Sequence, residues 1–108
     1  MNSLGLVEVQ STTAAIDCLD IMCKAADVRF VTWERKLGGR LVTVIVEGSI
    51  SAVQAAVDAA NGAIIKPAAS AVIASPHSET ERMVLLSASR LNKKQAKPAK
   101  SEQYLQEV

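Results

Sequence analysis

The sequence predicts an α+β domain in which helices pack on one side of a four-stranded antiparallel sheet, in the element order βαββαβα. Three observations predict it. Short apolar and β-branched runs recur at strand length. The first and third of these runs are each followed by an Ala-rich segment with helical periodicity. A Gly-Gly pair stands between the second and third, where a hairpin needs φ > 0.

At 108 residues the chain has room for one domain with a modest core. Apolar residues make up 49% of it and aromatics only 3%, so burial must come from many small aliphatic side chains. The net charge of +1 offers no whole-chain attraction for nucleic acid or anionic lipid, and neither is expected as a partner. Basic residues concentrate after residue 89, at Arg90, Lys93, Lys94, Lys97 and Lys100. This divides the chain into a folded domain over 1–89 and a basic, flexible extension over 90–108. Cys18 and Cys23 are five apart on a helix, poorly placed for a disulfide, and are expected as buried free thiols. No signal-peptide pattern opens the chain and no apolar run approaches the ~20 residues of a membrane span, so a cytoplasmic setting is expected and no membrane.

Leu4 to Val9 is the first strand, and Ser11, Thr12 and Thr13 supply a cap for the helix that follows. From Thr13 to about Ala26 the polar positions Asp17, Asp20, Lys24 and Asp27 form one narrow stripe. Such a wide apolar arc exceeds what one face of a small sheet can bury, which points to oligomerisation. Val28 to Lys36 is the second strand, carrying Phe30, Val31 and Trp33. Leu41 to Val46 is a continuous apolar run, broken only by Thr43, of the kind found where both faces of a strand are covered. A second Ala-rich helix spans about Ser51 to Ala63, with Gln54, Asp58 and Asn61 as its stripe. Pro67 closes that region, and Ala71 to Ala74 form a last strand. Ser78-Glu79-Thr80-Glu81 has the form of a capping box, so a short helix should run to about Leu86, with residues 90 to 101 a linker.

Particular residues carry a resemblance. The runs Leu4-Gly5-Leu6-Val7-Glu8, Ala14-Ala15-Ile16-Asp17 and Met22-Cys23-Lys24-Ala25-Ala26-Asp27-Val28 occur in order. They are followed by Leu41 to Gly48, Ala52 to Ala59 and Val72 to His77. Over residues 4 to 86 this succession resembles the bacterial microcompartment shell proteins of the single-domain type. The resemblance implies a ferredoxin-like domain, six copies in a flat hexagon, hexagons tiling edge to edge, and a pore on the sixfold axis. Partners would be the chain itself as a homohexamer, other shell proteins of the same compartment, and encapsulated enzymes through the C-terminal extension. No cofactor, metal or catalytic group is implied.

The same resemblance assigns roles to residues. Lys24 stands at the family's edge lysine, whose ammonium meets backbone carbonyls across the seam between hexamers; spacing alone favours a solvated lysine placed by the helix dipole, and it is the motif that favours the seam. Asp27 replaces the family's Asn beside it. Ser75 stands where the family carries an Arg that fills a pocket between tiles, which implies weaker lateral assembly or a minor place in a mixed shell. His77, the only histidine, is expected at the seam or as a cap. Lys36, Leu37, Gly38, Gly39 and Arg40, preceded by Arg35, stand at the pore segment; an ordinary Gly-Gly hairpin with solvated charges is the alternative. A ferredoxin-like regulatory domain binding a small ligand as a dimer or trimer is the competing function.

Overall fold

The computed structural model describes residues 1–35 and 40–96. Its elements are β1 (Ser3–Val9), α1 (Thr12–Ala25), β2 (Arg29–Glu34), β3 (Val42–Gly48), α2 (Ile50–Asn61), β4 (Ala69–Ile73) and α3 (Ser78–Ala96). All pairings are antiparallel and the strands lie in the order β2-β3-β1-β4. The α+β class and the βαββαβα order are as the sequence predicts.

Strand alternation divides the core in two. On one face Val7 and Val9 of β1 and Val42, Val44 and Val46 of β3 meet Ala14, Ala15, Cys18 and Met22 of α1 and Val53, Ala56, Val57 and Ala60 of α2. Side chains this small let two helices lie close to the sheet; fully burying a Val or Met contributes roughly 1.5–3 kcal/mol. On the other face Leu4 and Ile45 meet Val84 of α3. The third helix therefore lies opposite the first two, which corrects the expectation that the helices share one side. β3 is covered on both faces, as its continuous apolar run requires.

A bulge in β2 explains how that strand serves both layers. Phe30 pairs with Val46 and Thr32 with Ile45, leaving Val31 as the extra residue. Before it Phe30 packs in the α1/α2 layer, and after it Trp33 returns to the same layer while Thr32 and Glu34 turn toward α3. Phe30 and Trp33 meet edge to face, with ring centroids 6.3 Å apart.

Local chemistry accounts for the helix starts. Ser11 Oγ accepts from the Ala14 N–H at 3.1 Å and Ser49 Oγ from the Ala52 N–H at 3.2 Å. In α3 the expected capping box at Ser78 gives way to a cap one residue earlier. His77 is the cap: its carbonyl accepts from the Glu81 N–H at 3.0 Å and its Nδ1 from the Glu79 N–H at 3.1 Å. This helix also runs on to Ala96, ten residues beyond the expected end at Leu86, so residues 90 to 96 are helical and not linker. Cys18 is buried as expected, whereas Cys23 is exposed, a correction that follows from its place on the solvent side of α1.

Candidate functional site

The register aligns the ends of the sheet. Arg29, Glu47, Leu4 and Ile73 form one row across all four strands, and Glu34, Thr43, Glu8 and Ala69 form another. The rows are four residues apart along β1, about 13 Å at roughly 3.3 Å per residue. Lys24 and Asp27 immediately precede the first row at Arg29, and Ser75 and His77 immediately follow it after Ile73. Arg35 and Arg40 flank the second row, following Glu34 and preceding β3. Lys24, Asp27, Ser75 and His77 thus lie at one end of the sheet, and Arg35 and Arg40 at the other.

At the first end, Lys24 sits in the last turn of α1, where the helix dipole favours a cation. Its Nζ lies 2.8 Å from Asp20 Oδ2, one helical turn back, and both side chains are exposed. The hydrogen bond that Lys24 donates to Asp20, and then the charge of that carboxylate, raises the Lys24 pKa above the ordinary lysine value. Asp27 is exposed in the turn after α1, whose backbone closes through Ala26 N–H to Met22 O at 3.2 Å and Val28 N–H to Ala26 O at 2.9 Å. Gly48 lets this turn nest against the end of β3, since a Cβ there would lie 2.9 Å from the Asp27 carbonyl oxygen. Arg29 pairs with the largely buried Glu47.

Ser75 and His77 are exposed on the β4–α3 connection. Ser3 Oγ donates to the Ala74 carbonyl at 2.7 Å and ties that connection to the start of β1. Because His77 Nδ1 accepts a backbone N–H, its neutral ring carries its proton on Nε2, the nitrogen left free to reach outward.

At the second end, Arg35 is exposed and its guanidinium lies 5.4 Å from the centroid of the Trp33 ring. Arg40 is exposed in the turn before β3. Lys36, Leu37, Gly38 and Gly39 lie outside the described residues.

Two further features carry no signal in the sequence. Thr32 Oγ1 and Ser87 Oγ are 2.9 Å apart and buried, and Ser87 donates on to Glu34 Oε2, so a polar chain ties α3 to β2. Beside it lies a cavity of about 620 Å³ between α3 and the sheet, with Leu6, Ile45, Met83 and Leu86 among its walls and Glu34 and Arg90 among its polar groups. Among the described residues no three His, Cys, Asp or Glu side chains gather as metal ligands, and no helix is long and apolar enough to cross a membrane.

The family model of the BMC domain matches residues 3–76. The chain is 44% identical over 85 residues to the bacterial microcompartment shell protein PduA of Citrobacter freundii, covering 76% of this chain and 90% of that protein. It is 41% identical over 88 residues to the carboxysome shell protein CsoS1C of Hydrogenovibrio crunogenus, covering 78% and 85%. A solved microcompartment protein from Desulfitobacterium hafniense superposes with a TM-score of 0.68 at 27% identity over 81% of this chain, which spans about half, 48%, of that longer protein.

Proposed function

The chain belongs to the BMC domain family, and on that premise we propose that it is a structural shell subunit of a bacterial microcompartment, not an enzyme, acting in the cytoplasm as one tile of the shell. Six copies form a cyclic hexamer. The segment Lys36 to Arg40 surrounds its central pore, and the end of each subunit bearing Lys24, Asp27, Ser75 and His77 forms the outer edge where tiles meet one another and other shell proteins. The pore passes small polar or anionic metabolites. Residues 1–89 act as the shell domain, and the basic residues after them provide a contact for encapsulated enzymes.

The observation that carries this reading is the separation of the two groups to opposite ends of the sheet. A wedge in a ring needs one end at the axis and the other at the rim, and residues of each kind are grouped accordingly. Unsatisfied apolar surface supports the ring. Ile16, Ile50, Ile65, Met83 and Leu85 are exposed on the single chain and Ile64 is wholly so at 100%, apolar surface that neighbouring subunits of a ring would cover.

Native mass spectrometry tests the stoichiometry. A cyclic hexamer has six times the 11.4 kDa chain mass, about 68 kDa. A dimer or trimer retaining a small molecule in the cavity beside α3 would overturn the shell reading in favour of a ligand-binding regulatory domain.

A further inference from the structure

We propose that Asp20 is a positioning residue for the edge contact: it holds the Lys24 side chain along α1 so that the ammonium is ordered before a neighbouring tile arrives. The proposal rests on the reading of Lys24 as the seam lysine.

A lysine side chain has many rotamers, and a contact made by a free, exposed lysine must freeze them. Lys24 is exposed, with 77% of its side chain open to solvent, so packing does not order it. The Nζ–Oδ2 contact of 2.8 Å to Asp20 does. The pair has the favourable polarity on a helix, with the acid four residues before the base. The other acids of the stripe are less well situated. Asp17 is seven residues back, about 10.5 Å along the axis at 1.5 Å per residue, and Asp27 lies beyond the extended cap residue Ala26, out of helical register.

The ammonium has three N–H donors, and Asp20 occupies one of them. Two remain for acceptors on a facing tile. Asp20 thus serves the contact by fixing the direction of the lysine without exhausting its donors. Its own carboxylate is itself exposed and is not needed for the fold of α1, whose buried side is Ala14, Ala15, Cys18 and Met22.

The test measures the protein concentration at which the full-length chain begins to form sheets or tubes, by light scattering and electron microscopy, for wild type, Asp20→Asn, Asp20→Glu and Lys24→Ala, with native mass spectrometry of each. An exposed i,i+4 pair is worth about twofold in its local equilibrium. Six lysines per hexamer compound this, so Asp20→Asn should raise the onset concentration roughly tenfold or more while the hexamer mass is unchanged. Asp20→Glu, which keeps the pair, should restore assembly. At 1 M salt, where the screening length is about 3 Å, wild type and Asp20→Asn should converge. If Asp20→Asn assembles at the wild-type concentration or below it while Lys24→Ala does not assemble, Asp20 has no positioning role and the seam reading stands. If Lys24→Ala assembles as wild type does, the seam reading fails and the proposal with it.

Discussion

Replacing Gly5 with alanine puts a methyl group into the tightest contact of the sheet–helix layer. The Cβ would stand 2.9 Å from Val53 Cγ1, 3.0 Å from Val57 Cγ2 and 3.2 Å from Val46 Cγ2, all inside the 3.5–4.0 Å optimum for carbon pairs. None of the three neighbours can turn away, because each is β-branched and stiff at χ1, and Val53 and Val46 have no exposed surface to move into. Relief therefore requires α2 to lift from β1. Overpacking of this kind costs about 1–3 kcal/mol, and the lower backbone entropy of alanine in a strand returns about 0.5–1 kcal/mol. The net destabilisation is about 0.5–2 kcal/mol, a fall in Tm of roughly 3–10 °C, measured by calorimetry at one fixed protein concentration because association shifts the midpoint. Val53→Ala removes the nearest clashing atom. The double variant should then be more stable than the two single losses added together, by about 0.5–1.5 kcal/mol, with Val57 still opposing full recovery. An unchanged Tm for Gly5→Ala, or strict additivity in the double variant, would refute the packing argument.

Thiol labelling at pH 8 should modify Cys23 alone, because Cys18 is buried and its pKa is raised, first by burial and then by the charge of Asp17. The stabilisation from keeping Cys18 protonated is complete below the ordinary thiol value of about 8.5 and is lost as pH rises through the raised folded value, so the alkaline fall in Tm should be smaller in Cys18→Ala. Ser87→Ala strips the buried Thr32 hydroxyl and Glu34 of their partner and should cost about 1–3 kcal/mol, read as faster hydrogen exchange in α3 than in β1 and β3; equal rates across all three would speak against the polar chain as the tie. Changing Lys36 and Arg40 together to Gln should slow anion passage through assembled shells, since a ring of like charge focuses potential in a constriction; undiminished anion flux would end the anion-pore assignment. Removing residues 97–108 should leave six chains per particle and lower the capture of encapsulated enzyme; loss of the hexamer would give the extension a structural role instead.

The local parts of the fold were legible in the residues because their causes are local. Period-two and 3.6-residue patterns depend on neighbours in sequence, and so do Ser11 and Ser49 as caps, which is why β1 through β4 and the two Ala-rich helices lie within a few residues of where the sequence predicts them. The α3 helix was read too short for a physical reason. Val84 and Ser87 are its only buried residues among those whose side chains are described, so the one-sided apolar pattern that announces a helix is too sparse beyond Leu86. The cap moved from Ser78 to His77 because an imidazole nitrogen can accept the same backbone N–H as a hydroxyl.

Lys24, Ser75 and His77 were singled out in another way, through the succession of runs from Leu4 to His77 that resembles a known family, and not through any chemistry of these residues taken singly. The sequence by itself determined the element order, the Ala-rich packing and the polar stripe of α1. Only the tertiary structure decided that α3 crosses to the opposite face, that the Lys24 and Ser75 groups share one end of the sheet while Arg35 and Arg40 share the other, and that Asp20 engages Lys24. The reason is that strand register joins residues up to about seventy positions apart, as Leu4 is joined to Ile73, and such pairings are chosen by the burial of whole faces, which no local window of residues contains.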